Sequence, residues 1–176
     1  RTSMQAGGER AGHQILFTPD DARALATESR LIRVVSAEIQ RNGVSIKSAY
    51  NSASLAVHGI EPQYQAIRTI DVERGRMFGL NDEDEARRVA IVGADATAQL
   101  FGTRDSLGQR VYLNGLPYTV IGRIRKKDQD SAYSGPDNDK VFVPFAAMLR
   151  DFPRIDAQPG VLSNLIISPH QWVVDR

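Results

Sequence analysis

Hydrophobic positions along the chain follow two rhythms, and the switches between them predict the elements. In TPDDARALATESRL, Ala22, Leu25, Ala26 and Ile32 fall near one helical face. The start of that helix is written beside it. Thr18 can cap, Pro19 suits the first helical position, and Asp20 and Asp21 sit where the helix dipole favours anions. Asp21 also takes the reciprocal capping-box position. Around Leu31 the pattern becomes LIRVVSAEI, rich in β-branched residues and predicted to be a strand. Asn42-Gly43 signals a turn, VSIKSAY alternates like a strand with one wet face, and SLAVHG continues the extended run.

Glu61-Pro62 opens a short helical stretch, PQYQAIRTI, and GRMFGLNDEDEARR follows as a loop with an acidic centre. RRVAIVGADATAQLFG predicts a strand over 88–92, a turn at Gly93 and a helix to Leu100, with Gly102 placed for a left-handed cap. QRVYLNGLPYTVIGRIR is the clearest element: two alternating runs flank Asn114-Gly115, a strong hairpin signal. KKDQDSAYSGPDNDK has almost nothing to bury and predicts a long surface loop. VFVP is a strand ended by Pro144, FAAMLRDF a short helix, VLSNLIISP a last strand, and HQWVVDR the start of a helix. This mixed order predicts an α+β fold with mostly antiparallel, mixed sheet, not a doubly wound parallel one.

Composition narrows the function classes. The chain has 176 residues, 41% hydrophobic and 24% charged, with a net charge of +1. So small a charge argues against nucleic acid as a partner. No apolar run reaches the roughly 18 residues of a membrane helix, and no signal peptide opens the chain. With no cysteine, disulfides and thiolate metal sites are excluded. RTSMQAGGERAGHQ is polar and glycine-bearing, and a mobile lead-in over 1–17 is expected.

RRVAIVGADATAQLFG also resembles the opening of a nucleotide-binding unit, but only its first glycine fits. The dinucleotide fingerprint needs glycines in the order G-x-G-x-x-G. Gly93 fills the first place, Asp95 stands at the second and Ala98 at the third. Asp95 puts an anion at the helix N-terminus, where a phosphate would bind. No G-K-[ST] follows, so Gly93 is expected to make a turn, and no cofactor site is assigned.

Other candidates are weaker. His13, His58 and His170 are far apart and lack metal-ligand spacing. Asp82, Glu83, Asp84 and Glu85 lack the glycine and terminal Glu of a calcium loop, and a solvated loop paired to Arg87 or Arg88 is expected. Ser29, Ser36 and Ser45 have no nucleophile-elbow context. The run Arg123, Arg125, Lys126 and Lys127 is expected to be a solvated edge that discourages aggregation. No catalytic or metal residue is assigned.

Taken in order, VHGIEPQY, GRMF followed by acids, VAIVG, LFG, LGQRVYLNG, YTVIG and DKVFVPF resemble the extracytoplasmic (periplasmic) core domain of MacB-type ABC transporter permeases. The resemblance implies a porter-like subdomain over 18–55 and 136–176, interrupted by a smaller α/β subdomain over 56–135. It also implies that residues 1–17 follow a first membrane helix, and that the porter-like part is truncated at Arg176. The matching residues are Gly59, Pro62, Tyr64, Gly75, Arg76, Phe78, Gly93, Leu100, Phe101, Gly102, Leu107, Gly108, Val120, Ile121, Gly122 and Pro144. Their implied jobs are turns, close approaches and core, with Phe78, Leu100, Phe101, Val120 and Ile121 building the inserted subdomain. Arg123 departs from the pattern, where a small apolar residue is usual.

The implied function is transmission of ATP-driven motion across the membrane to cargo or to an adaptor or carrier protein. ATP would be hydrolysed on an associated ATPase, so no enzyme activity and no cofactor are expected in this domain. Partners would be the rest of the permease, its ABC ATPase and a second copy, at the outer face of the cytoplasmic membrane. A small-ligand or peptide binding module with a cleft between subdomains is the alternative. A nucleotide-dependent enzyme ranks last.

Overall fold

The computed structural model describes residues 18–28, 32–126, 137–153 and 164–169. Helix α1 (Pro19–Glu28) starts with the reciprocal cap read from the sequence. The Thr18 backbone N–H donates to Asp21 Oδ2 at 2.8 Å, and the Asp21 N–H donates to Thr18 Oγ1 at 3.3 Å. Strand β1 (Ile32–Lys47) then runs through the Asn42-Gly43 dipeptide without turning. Register with β2 (Ser52–Ile60) shifts between Arg41 and Val44, so residues 42 and 43 oppose Ala56 alone. The expected turn is a β-bulge, with Gly43 at φ +66°. The chain turns instead at Ser48, whose Oγ accepts the N–H groups of Tyr50 and Asn51.

After a 3-10 turn at Pro62–Ala66 come β3 (Val72–Gly75), α2 (Leu80–Asp84), β4 (Val89–Val92) and α3 (Ala94–Phe101). The stretch expected as an acidic loop, 75–88, therefore contains the helix α2, and β3 reaches only its first residue, Gly75. The hairpin β5 (Arg110–Leu113) and β6 (Leu116–Ile124) forms as expected, with Asn114 and Gly115 both at positive φ, 47° and 85°. A second 3-10 turn (Asp137–Asp139), β7 (Lys140–Pro144), α4 (Phe145–Asp151) and β8 (Asn164–Pro169) complete the described elements. The HQWVVDR segment lies outside the described residues.

The described strands form one mixed sheet. Strands β1, β2, β7, β4, β6 and β5 pair in that order, and β5 pairs back to β1, closing a ring. Strand β8 adds to β1 and β3 to β6. Pairings are antiparallel except β2 with β7 and β4 with β6. The parallel β4–β6 pair follows a helix and a hairpin, so it is not a βαβ unit of the nucleotide-binding kind. Position 55/56 falls inside β2, and the strands of 56–135 bond to β7 on one side and β1 on the other.

Two apolar clusters lie on opposite faces of the strands. One holds Val35, Ile39, Val57, Leu100, Tyr118 and Val143 with their neighbours, and helices α1, α3 and α4 supply part of it. The other gathers Ile60, Tyr64, Ile70, Phe78, Ile91, Ile124 and Phe142. Strand alternation sorts them: Val141 and Val143 face one cluster while Phe142 faces the other. Among the described residues no helix is long and apolar enough to cross a membrane.

Candidate functional site

At the Gly93 corner the cradle is already filled. A Cβ on Gly93 would lie 2.3 Å from the carbonyl oxygens of both Asp137 and Asn138. The 3-10 turn crosses against this point, and the Gly93 N–H donates to Lys140 O at 2.8 Å. Asp95, in the first turn of α3, pairs with Lys126 at 3.2 Å. The space a phosphate needs is occupied by the protein's own backbone, and the helix dipole is met by an internal carboxylate. Gly102 ends α3 at φ +63° and ψ −124°, outside the left-handed helical basin expected for it, with its N–H on Ala98 O at 2.9 Å.

The acidic run is not a solvated loop. Asp82 is 1% exposed, accepts two hydrogen bonds from Arg76 at 2.6 and 3.1 Å, and accepts the Gly79 N–H at 2.8 Å. The Arg76 guanidinium, with the Gly79 N–H, holds its carboxyl below the ordinary range against the effect of burial. Arg87 pairs with Glu85 at 2.7 Å and approaches Asp82 at 3.7 Å. Arg88, the other expected partner, turns instead to Asp151 at 2.8 Å.

Glu83 points to the opposite side of α2. Its Oε1 accepts the Ala146 N–H at 2.9 Å in the first turn of α4. Its Oε2 is buried and has no hydrogen-bond partner. Burial pushes this carboxyl up to about 7, with a nearby Glu61 adding to the rise and the α4 N–H groups opposing it.

Glu83 lines a cleft of about 320 Å³ between α1 and α4. Val35 and Ala37 of β1 form its floor, Phe145, Ala146 and Leu149 of α4 one wall, and Ala22 and Arg23 of α1 another. Glu61 and Gln63 lie at the end of β2 and the start of the first 3-10 turn. Glu61 Oε2 accepts the Ala37 N–H at 2.7 Å, just beyond the last β1–β2 pair, and the Gln63 amide at 2.8 Å. Position 61 therefore carries on the sheet ladder with a side chain, and this holds a carboxylate at the mouth of the cleft.

Helix α4 is anchored at both ends. Pro144 closes β7 opposite Ile60 and precedes α4 directly. Met148 packs over Gly59, where a Cβ would lie 2.4 Å from Met148 Cβ. Asp151 accepts hydrogen bonds from Arg88, Arg150 and the Tyr118 hydroxyl, the last at 2.6 Å. Burial pushes the Asp151 carboxyl up, but these donors outweigh it and hold it well below the usual range.

The other sequence-singled residues are spread through the fold. Pro62 opens the first 3-10 turn, and Tyr64 within it is buried, which raises its phenol. Gly75 of β3 lies against Ile121 and Gly122 of β6, and Gly122 against Arg76. The Gly108 N–H donates to Val120 O at 2.8 Å, and Leu107 packs against the first cluster. Leu100, Phe101 and Val120 belong to one cluster, and Phe78 and Ile121 to the other. Arg123 pairs with Glu73 at 3.2 Å and Arg125 with Asp71 at 3.0 Å, so these members of the expected solvated edge are ion-paired.

Three residues gain roles that sequence reasoning missed. Glu61 and Glu83 face the cleft. His58 is buried at 1% exposure, with Nδ1 2.7 Å from Glu38 Oε1. The only sequence signal for Glu61 was its place before Pro62, and Glu83 was hidden in the acidic run. His13, His170 and Lys127 lie outside the described residues. Among the described residues no cluster of His, Asp and Glu could hold a metal ion.

Comparison with known proteins points one way. The model of the MacB-like periplasmic core domain matches residues 2–169. A macrolide export ATP-binding/permease protein MacB of Neisseria meningitidis is 28% identical over 143 residues, covering 81% of this chain and 22% of the relative. The ABC transporter permease YknZ of Bacillus subtilis is 28% identical over 153 residues, covering 86% of this chain and 37% of the relative. The chain thus spans a minor part of these relatives.

Two solved structures share the fold. The extracellular domain of YknZ from Gram-positive bacteria superposes with a TM-score of 0.76 at 22% identity, covering 96% of this chain and 81% of that one. The periplasmic region of MacB from Actinobacillus actinomycetemcomitans gives 0.74 at 19% identity, covering 99% and 76%.

Proposed function

The chain belongs to the family of MacB-like periplasmic core domains, and from that premise we propose that it is the extracytoplasmic part of an ABC transporter permease. It transmits ATP-driven motion from the membrane to cargo, or to an adaptor or carrier protein. ATP is hydrolysed on the associated ATPase, and this domain binds no nucleotide. Its working partners are the rest of the permease, that ATPase and a second copy.

The observation that carries the reading is the match over residues 2–169, supported by relatives named as permeases. A ring of paired strands suits a mechanical role. Each of the six strands in the ring has a partner on both sides, so displacement of one of them is carried through the backbone network. The filled Gly93 corner is consistent with a nucleotide bound elsewhere.

These 176 residues carry no cysteine, so in a full-length protein whose remaining cysteines, if any, are replaced, one introduced thiol tests location directly. Thr103→Cys lies at an exposed position just after α3. In intact cells making the full-length protein, a membrane-impermeant maleimide is expected to label it at the rate of an extracellular control. Labelling only after the membrane is broken would overturn the reading.

A further inference from the structure

We propose that the cleft between α1 and α4 binds a small organic cation, an amine or guanidine carried on an apolar body. The inference does not depend on the transport reading and stands on the composition of the cleft. Apolar surface dominates floor and wall, through Val35, Ala37, Phe145 and Leu149. Leu149 remains 39% exposed, a large apolar side chain left at the cleft rather than in the core.

Charge decides which apolar ligand fits. Two carboxyl groups, Glu61 and Glu83, line the same cleft, and when ionised each has only accepting oxygens. Glu83 spends one oxygen on the α4 N–H, and the other is buried with no donor. That buried oxygen cannot itself be reached from the cleft, so what a ligand meets there is the negative charge of Glu83 and Glu61, which an ammonium or guanidinium offsets. An anionic ligand would meet two like charges, and a neutral one would leave those charges unmatched.

Arg23 is the cation nearest to hand, since it also lines the cleft, but it is engaged elsewhere. Its guanidinium pairs with Asp20 at 2.6 Å, out in solvent. The described residues hold no ion pair from Arg23 to either glutamate. Size sets the remaining limit. The cleft of about 320 Å³ is at the small end for ligand pockets, which suits one ring or short chain bearing a single amine.

The test is a titration of the 176-residue chain with phenethylamine, 2-phenylethanol and phenylacetate, followed by amide NMR shifts. Working above about pH 8 keeps Glu83 ionised. Phenethylamine is expected to saturate, moving the amides of Ala37, Ala146 and Leu149. The alcohol should bind about tenfold or more weaker, and phenylacetate not at all. The Glu61→Gln, Glu83→Gln double variant should lose at least about tenfold in amine affinity.

If that double variant unfolds, Leu149→Lys serves instead, because the site is part-exposed and a tethered ammonium would exclude the free amine. No saturation by about 10 mM amine would overturn the proposal. So would equal binding of alcohol and amine, or undiminished binding in both variants.

Discussion

Helices α3 and α4 both start directly after a strand of the sheet, yet the chain treats their N-terminal ends in opposite ways. At α3 the backbone of Asp137 and Asn138 closes on Gly93, and Lys126 covers the nearby Asp95. At α4 a carboxylate from α2 reaches the first turn, and a cleft remains beside it. The first corner has the first glycine of a ligand loop and no room for a ligand. The second has no motif and has room. A strand–glycine–helix pattern describes local geometry, while a site depends on what distant chain packs against it.

The largest expected effect lies at the closed corner. In Gly93→Ala the new Cβ meets two backbone oxygens at 2.3 Å, and neither can swing aside. A loss of about 3–5 kcal/mol is expected, since overpacking against fixed atoms is among the most damaging changes. Leu149→Ala at the open cleft should cost about 1 kcal/mol or less, because the side chain is already part-exposed. Chemical denaturation of both variants checks the contrast, and equal losses would erase it.

Gly59→Ala comes next. Its Cβ would press on Met148, which rides on a helix that can shift by a fraction of an ångström. About 2–3 kcal/mol is expected by the same overpacking argument, with altered amide shifts along the α4 wall of the cleft. Asp151→Asn should cost about 2 kcal/mol by leaving Arg88, Arg150 and Tyr118 short of their shared acceptor. The sign with pH follows. A depressed carboxyl stabilises the fold above its unfolded value of about 3.9, and that stability fades as pH falls below it. Acid unfolding of Asp151→Asn should therefore be less steep than that of the parent.

A smaller effect than at Asp151 is expected at Glu83, and it runs the other way. Its carboxyl is raised to about 7 in the fold from an ordinary value of 4.5. Between those values the native state holds the extra proton, so stability falls as pH rises through the window. Glu83→Gln should remove this dependence, a difference on the order of 1 kcal/mol between the two ends given its partial exposure. Denaturation midpoints across the window measure it.

Much of the fold was legible where local chemistry decides. The Thr18–Asp21 cap and the Asn114-Gly115 hairpin need only neighbouring residues, and both form as read. Asn42-Gly43 is the same kind of dipeptide with the opposite outcome. It makes a bulge because β2 pairs with β1 on both sides of it, and β2 lies beyond the turn at Ser48. The ring closure from β5 to β1 joins residues more than sixty positions apart, and no local pattern announces it.

The site was less legible still. Four consecutive acids look solvated in sequence, yet Asp82 is buried by Arg76 and Gly79 while Glu83 is claimed by a helix about sixty residues on. Alternating fates within one acidic run follow from the helical turn of α2, which faces adjacent side chains in different directions.

The central proposal is that this domain carries motion from the membrane outward, and it requires the domain to move as one body. Spin labels at Thr103→Cys and Leu80→Cys in the full-length permease, in membranes with its ATPase, test it most directly. Double electron–electron resonance would be recorded without nucleotide and with ATP trapped. The account predicts that the Thr103–Thr103 distance between two copies changes with nucleotide state, while the Thr103–Leu80 distance within one copy stays fixed. An inter-copy distance that does not respond to ATP, or a change confined within one copy, would contradict it.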